Sequence, residues 1–299
     1  MNNDNWPPLP YEEWKDTLDT LHMWMQIPGK IKLALSPFLN HWWNVAFKVT
    51  SNGMTTGLIP YKNEAFEVNF DFIHHNLFVQ KSDGQIKTCS LIPRPVAEFY
   101  NEFMSMLNEL DISVSINTMP VEVPDPIACD TDRLHCHYIK EYVHNWWRIL
   151  LQSHNILKRF SSPFRGKSSP VHFFWGSFDL NATRFSGKTV TPPQNGGRIM
   201  EFAENEENFS FGFWPGDKRF PSPAFYSYLY PAPKDIEKVI IRPSSAYYNS
   251  ALGDFILPYD EVRNSSYPDN LIMDFLQSTY KQSAELAGWD IRAFEGPVP

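Results

Sequence analysis

Residues 66–72 read Phe-Glu-Val-Asn-Phe-Asp-Phe, and this stretch indicates the fold class more clearly than any other. Its apolar residues occupy every second position, so they share one face of a β-strand, while Glu67, Asn69 and Asp71 share the other. Short β-rich runs separated by turn residues surround it within residues 43–92. The pattern predicts an antiparallel meander with one buried face.

Helices are predicted on both sides of this meander. Residues 11–27 carry apolar side chains at spacings of three and four, the period of an amphipathic helix. A kink or an end is expected at Pro28-Gly29, because proline removes a helical donor and collides with the preceding turn. A further helical turn over residues 31–35 stays open, followed by a break at Ser36-Pro37. Residues 95–110 form a second amphipathic stretch that would cover the apolar face of the meander. The predicted fold class is therefore α+β.

A similar order of elements follows residues 117–138, a proline-rich acidic segment that we call the strap. A helix is predicted over 138–160 and a last helix over about 269–287. The strand-like runs between them are VHFFWGSFDL, treated as one strand over 171–180 with Gly176 as the place for a bulge, and then NFSFGFWPG, AFYSYLY and DFILPYD.

The two halves also share residues in the same order, which favours a tandem duplication of a helix, antiparallel β-meander and helix unit. The predicted domains are a first repeat at 11–116, the strap at 117–138 and a second repeat at 139–290, packed as one globular body. The matches are Gln26 with Gln152, Ser36-Pro37-Phe38 with Ser162-Pro163-Phe164, His41 with His172, and Trp42-Trp43 with Phe173-Phe174.

Composition limits the classes of partner. The net charge is -8 with mixed signs along the chain, so no basic face for nucleic acid is expected. Three cysteines without framework spacing, no signal peptide and no long apolar run predict a cytoplasmic, soluble protein that does not engage a membrane. The common nucleotide-binding, serine-hydrolase and zinc-protease motifs are absent.

The densest chemical stretch is 172–187, where polar residues alternate with aromatic ones. One interpretation makes it the floor of a pocket, with Trp175 as a stacking wall, Arg184 as an anion clamp, and Asp179 as the partner of Arg184 or as a base. The other is a buried aromatic strand in which Asp179 and Arg184 form a structural ion pair. The residues alone leave both open.

His41 and His172 hold equivalent positions in the two halves, each just ahead of an aromatic strand. A pseudo-two-fold axis would bring them together for proton transfer or metal binding, whereas the simpler interpretation is that each fixes a strand entry through a loop carbonyl. With Asp179 they are the candidate catalytic residues. Trp43, beside His41, joins Trp175 and Arg184 as a candidate ligand-binding residue.

The strap contributes two further candidates. Cys129, Cys136 and neighbouring histidines have the composition of a zinc site but not its ligand spacing, so no metal site is predicted. His135 and Tyr138 are instead expected at the lip of a cleft between the repeats, where they would contact a ligand.

Several long motifs resemble a family of bacterial proteins known only as a domain of unknown function. The similarity covers nearly the whole chain, and it implies membership without implying an activity, a cofactor or a site. The motifs are WPPLPYEEWKDTL from residue 6, HWW at 41–43, PVEVPDP at 120–126, PVHFFWGSFDL with TRFSG at 170–187, LPYDEVR at 257–263 and FLQSTY at 275–280.

Two functional hypotheses follow from these patterns. The first is a protein that binds a small aromatic or anionic molecule, or an acid–base enzyme, with its cleft between the repeats. The alternative is a non-catalytic interaction protein that uses an aromatic sheet surface, since Tyr226, Tyr228 and Tyr230 alternate on one face. The simpler interpretation of the tyrosines, and the one that we expect, is a sheet face that the last helix covers. The sequence leaves the cofactor, enzymatic activity and homo-oligomerisation open.

Overall fold

The computed structural model describes residues 5–194 and 196–296, which contain helices and two antiparallel sheets. The α+β prediction is therefore confirmed. The contacts group the chain into a first unit, residues 9–151 with 173–178, and a second unit, 152–172 with the described parts of 1–8 and 179–299. This division falls inside a helix rather than in the strap, and the predicted domain boundaries and duplication stay predictions.

The first unit contains a six-stranded sheet in the order β1-β2-β4-β5-β6, with β3 also paired to β4, and helices before and after it. Its elements are α1 (Tyr11–Leu35), β1 (Lys48–Val49), β2 (Gly53–Thr55), β3 (Ile59–Tyr61), β4 (Glu64–Asp71), β5 (Asn76–Lys81), β6 (Ile86–Ser90), α2 (Val96–Glu109) and the part of α3 (Lys140–Ser161) up to residue 151.

The alternation predicted around residue 68 is present in β4. Phe66, Val68 and Phe70 are buried, whereas Glu67 and Asn69 are half-buried on the other face. Such alternation builds a core because each apolar side chain on one face adds to a single buried layer. The strap carries no helix or strand, as its proline content predicts.

Helix α1 does not end at Pro28, because it continues to Leu35 and stops at the predicted break at Ser36-Pro37. Every residue from Met23 to Lys32 is buried, and Trp24 stacks on Phe99 at a ring distance of 4.8 Å. This packing stabilises the helix on both sides of the proline and outweighs the backbone hydrogen bond that Pro28 cannot donate.

The second unit contains a six-stranded sheet in the order β11-β12-β10-β9-β8-β7. Its elements, with β7 beginning in this unit, are β7 (His172–Phe174), β8 (Asp179–Thr189), α4 (Gly197–Ala203), β9 (Glu206–Trp214), β10 (Ala224–Tyr230), β11 (Tyr247–Asn249), β12 (Asp254–Pro258), α5 (Tyr259–Arg263), α6 (Pro268–Leu286) and α7 (Ile291–Phe294).

The single strand predicted over 171–180 is wrong. A turn at 175–178 separates β7 from β8, and Phe178 has a positive φ of 60°. The Phe178 amide donates a hydrogen bond to the Phe174 carbonyl at 2.8 Å, which closes the turn. The predicted bulge at Gly176 is therefore part of a complete reversal, and side-chain directions cannot be counted through it from His172 to Asp179.

The sheet of the second unit has two chemically different faces. Phe209, Phe211 and Phe213 of β9 lie on one face and are fully buried. Helix α6 packs on this face, where the Ser227 hydroxyl donates to Thr279 at 2.9 Å. Tyr226, Tyr228 and Tyr230 lie on the opposite face, so the expectation that the last helix covers the tyrosines is wrong.

Candidate functional site

The tyrosine face of the second sheet carries a connected polar layer. We call it the tyrosine–carboxylate face and define it by five residues on β8, β10 and β12 and on the turn before β9. They are Asp179, Glu204, Tyr226, Tyr228 and Asp254, with Asn181, Thr183, Asn208 and Ser210 linking them.

One end of this layer is formed by Asp179 and Tyr226, both 8% exposed. The Tyr226 hydroxyl donates a hydrogen bond to the Asp179 carboxylate and accepts one from Asn181 at 2.9 Å. The Thr183 hydroxyl donates to Asn181 at 3.0 Å and lies 2.9 Å from the hydroxyl of Ser210. Buried polar groups are stabilised when they are connected in this way.

The other end is formed by Glu204 and Tyr228. The Tyr228 hydroxyl donates to Glu204 at 3.0 Å, and Asn208 donates to the second carboxylate oxygen at 2.5 Å. Ser210 donates to Asn208 at 3.2 Å, so hydrogen bonds and hydroxyl contacts connect Glu204 with Asp179 across three strands. Burial raises the pKa of Glu204 above its ordinary value.

Gly212 makes room for this arrangement in β9. It pairs with both Asn181 and Tyr226, and the Tyr226 ring lies across it. A Cβ at this position would lie 2.0 Å from the Leu180 carbonyl oxygen and 2.8 Å from the Tyr226 hydroxyl. Only glycine allows the tyrosine to lie flat against the strand and reach Asp179.

Asp254 completes the face at the start of β12. Its carboxyl group is half-buried, and no hydrogen bond or ion pair to it is found within residues 5–194 and 196–296. Burial, with a smaller contribution from the negative charge of Asp179, raises the pKa of Asp254 from 3.8 to about 7. Burial also raises the pKa values of Tyr226 and Tyr228, so both hydroxyls stay protonated donors at neutral pH.

The Asp254 pKa predicts an unusual pH dependence of stability. Because the folded state holds this proton more tightly than the unfolded chain, the free energy of unfolding should fall as pH rises from about 4 to about 7. Asp254→Asn stays neutral, so we expect it to be more stable than wild type by about 1–3 kcal/mol at pH 8, allowing for solvent screening, and nearly equal at pH 4. Urea unfolding at both pH values measures this, and equal destabilisation at both would contradict it.

Asp179 and Arg184, which are five residues apart in the sequence, lie on different faces of the sheet. Strand β8 is regular between Leu180 and Phe185, so Asp179 and Arg184 project to opposite faces of the sheet. Arg184 lies among Phe160, Phe164 and Tyr280 on the side of α6. The interpretation in which Asp179 is the partner of Arg184 is therefore wrong.

Trp175 is held in the first unit and is 4% exposed. Its indole nitrogen donates to the Val45 carbonyl at 3.1 Å, and its ring covers Gly29, where an added Cβ would lie 2.3 Å from the ring. In this position the ring packs against α1 and is not open to solvent.

Four other predicted site residues have local partners in the first unit. His41 is buried with a positive φ of 58°, and its ring lies 5.5 Å from that of Trp43. His135 contacts Asp132 at 2.7 Å, and the buried Tyr138 hydroxyl lies 3.0 Å from His75. The Tyr138–His75 contact joins segments 63 residues apart, whereas the other two contacts lie within single loops.

His172 is buried at the start of β7 in the second unit, while His41 belongs to the first. Their predicted pairing, like the predicted roles of the other site residues, stays a prediction.

Within the described ranges, no set of three or more histidine, cysteine or acidic side chains is arranged to hold a metal ion. None of the described helices combines the length and apolar character needed to span a membrane.

The sequence carries a pattern that indicates the polar residues of this face on β9 and β10. In β9, Asn208, Ser210 and Gly212 alternate with three phenylalanines, and the tyrosines alternate in β10. A polar set facing a tyrosine set across paired strands indicates a buried polar layer. Asp254 carried no such signal, because its raised pKa depends on burial and on Asp179, which is distant in sequence.

Comparison with known proteins gives one family. The profile described as "Family of unknown function (DUF5996)" matches residues 6–296, nearly the entire chain. No curated protein and no solved structure matches the sequence. The resemblance indicated by the long motifs is thereby confirmed, and the chain belongs to the DUF5996 family, whose function is not established.

Proposed function

We propose that the tyrosine–carboxylate face binds a small organic amine and that Asp254 acts there as an acid or base. The observation that carries this proposal is the half-buried Asp254 carboxyl, which has no hydrogen-bond partner among the described residues although it lies on the same face as Asp179. A carboxylate in such a position gains most from a ligand that brings a donor or a positive charge.

The charge of the face favours a cationic ligand over an anionic one. Asp179, Glu204 and Asp254 supply three carboxyl groups, and no basic side chain is among the groups that shift the pKa values of Glu204, Asp254 or the two tyrosines. An anionic ligand, one of the classes predicted from the sequence, would be repelled here.

Aromatic side chains next to the carboxyl groups suit an amine that carries an apolar group. Trp214 and Phe220 stack at 6.1 Å and pack against the cluster that contains Tyr226. Ammonium groups are attracted to the faces of such rings as well as to carboxylates. Trp214, Phe220 and Tyr228 are half-buried, as is Asp254, so this surface reaches solvent.

Acid–base chemistry is supported by the difference in pKa between the Asp254 carboxyl and the hydroxyls of Tyr226 and Tyr228. A carboxyl with a pKa near 7 can both give and take a proton at neutral pH, whereas the two tyrosine hydroxyls stay protonated and hold Asp179 and Glu204 in place by donating hydrogen bonds to them. The alternative of an interaction surface has no comparable support, because Tyr226 is buried and hydrogen-bonded to Asp179.

Calorimetry with benzylamine and its neutral analogue benzyl alcohol tests the proposal. We expect benzylamine to bind with a 1:1 stoichiometry, to bind about tenfold more weakly to Asp254→Asn, and to lose affinity as pH falls through 7, because Asp254 then becomes neutral. Asp235→Asn is the matched control, since Asp235 is an acid of the same unit whose side chain contacts Lys238 on the surface.

Two results would contradict the amine-binding proposal. One is benzylamine binding that is equal for wild type and Asp254→Asn, and the other is stronger binding of benzyl alcohol than of benzylamine. If neutral polyols bind to the wild type but not to Asp254→Asn, the location of the site is supported and the ligand class is a polyol and not an amine.

A further inference from the structure

A cavity lies on the face of the second unit's sheet that is opposite to the tyrosine–carboxylate face. It has a volume of about 370 Å³ and is lined by Pro163, Phe164, Arg184, Glu295 and Gly296. This volume lies within the range of cavities that hold small ligands. The cavity is separate from the tyrosine–carboxylate face, because Arg184 and Asp179 project to opposite sides of β8.

Arg184 is the unusual group in this cavity, since its side chain is 3% exposed. Its guanidinium carbon lies 3.7 Å from the centre of the Phe160 ring, 4.4 Å from that of Tyr280 and 5.0 Å from that of Phe164. These rings stabilise the cation through their faces and leave the hydrogen-bonding edge of the guanidinium to other partners.

In the part of the chain that the structure describes, the protein does not supply hydrogen-bond acceptors for all the N–H groups of the Arg184 guanidinium. One terminal nitrogen of Arg184 donates to the Phe160 carbonyl, but Nε has no hydrogen-bond partner among the described residues. A buried charged donor without an acceptor is costly, and an oxyanion is the acceptor that matches a guanidinium best. Burial lowers the pKa of Arg184 only to about 10, so the group remains charged at neutral pH.

The rim of the cavity limits the charge of the ligand. Glu295 is exposed and lines the cavity, and its negative charge acts on Arg184. A monocarboxylate neutralises Arg184 and meets less repulsion from Glu295 than a dianion such as phosphate, while the Arg165 guanidinium, which packs against Gly296, adds a second positive charge at the rim. Phe164 and Pro163 form an apolar wall that suits a hydrocarbon or aromatic ring attached to the carboxylate.

We propose that this cavity is a binding site for a small aromatic or aliphatic monocarboxylate, which Arg184 holds through its carboxylate while Phe164 and Pro163 contact its apolar part. The site is independent of the amine-binding proposal. Its ligand carries the opposite charge, and the two proposals fail separately.

Calorimetry on the full chain with benzoate and with benzamide, its neutral analogue, tests the proposal. Benzoate should bind with a 1:1 stoichiometry and at least about tenfold more tightly than benzamide, because only benzoate presents an oxyanion to Arg184. Arg184→Met, which keeps an apolar chain among the rings but removes the charge, should weaken benzoate about tenfold or more. Arg159→Met is the control, since Arg159 pairs with Asp269 on the surface.

Glu295→Gln provides a second test of the proposal if Arg184→Met fails to fold. Removing the negative charge at the rim should tighten benzoate binding about two- to fivefold and leave benzamide binding unchanged. Equal binding of benzoate and benzamide, benzoate binding that Glu295→Gln does not alter, or no benzoate binding at about 10 mM would each overturn the proposal.

Discussion

Gly212→Ala is expected to lower the free energy of unfolding by about 3 kcal/mol and to displace Tyr226 from Asp179. The added Cβ would lie 2.0 Å from the Leu180 carbonyl oxygen, a backbone atom of the paired strand that cannot rotate away. The strands would have to separate, and the Tyr226 ring would have to leave its place across the glycine. Urea unfolding measures the loss of stability.

Ser210→Ala is the matched control for this substitution. Ser210 lies on the same strand and the same face, and its replacement removes hydroxyl contacts without adding bulk. We expect it to cost only about 1 kcal/mol. A Gly212→Ala variant as stable as wild type would show that Tyr226 does not lie across Gly212, and the geometry of the tyrosine–carboxylate face would then be wrong.

Trp175→Ala is expected to lower the free energy of unfolding by about 3–5 kcal/mol. The indole is 4% exposed, covers Gly29 of α1 and donates to the Val45 carbonyl, so the substitution leaves a cavity and an unpaired carbonyl. Trp175→Phe keeps most of the ring contact and loses the hydrogen bond, so a smaller loss of about 1–2 kcal/mol should follow.

Chemical denaturation of both variants distinguishes packing from the ligand-stacking role predicted for Trp175. If Trp175→Ala unfolds at the same urea concentration as wild type, the packing against Gly29 is wrong and the role of the indole as a ligand wall regains support. A graded loss from wild type through phenylalanine to alanine supports the packing.

Local patterns in the sequence predicted much of the fold. The alternation in residues 66–72 and the apolar stripes of α1, α2 and α6 each depend on side chains close together in the chain. The turn at 175–178 was missed because aromatic residues continue through it, and no proline marks it. The continuation of α1 through Pro28 depends on tertiary packing, which outweighs the local preference of proline.

The candidate site was less predictable than the fold. Asp179 was selected for its place in a polar stretch, and the structure gives it Tyr226 as a partner from a different strand. Glu204 and Asp254 were not selected, because their properties depend on burial and on neighbours that the fold brings close. Arg184 was predicted as an anion clamp, and it now supports a separate proposal on the other face of the sheet.

The most direct test of the proposed acid–base role is a carbon-13 NMR titration of the Asp254 side-chain carboxyl. Its signal is assigned as the one that disappears in Asp254→Asn. We expect a titration midpoint near 7, because burial and the negative charge of Asp179 favour the protonated form. A midpoint near 4 would mean that Asp254 is an ordinary solvated carboxylate, and the tyrosine–carboxylate face would lose the acid–base role proposed for it.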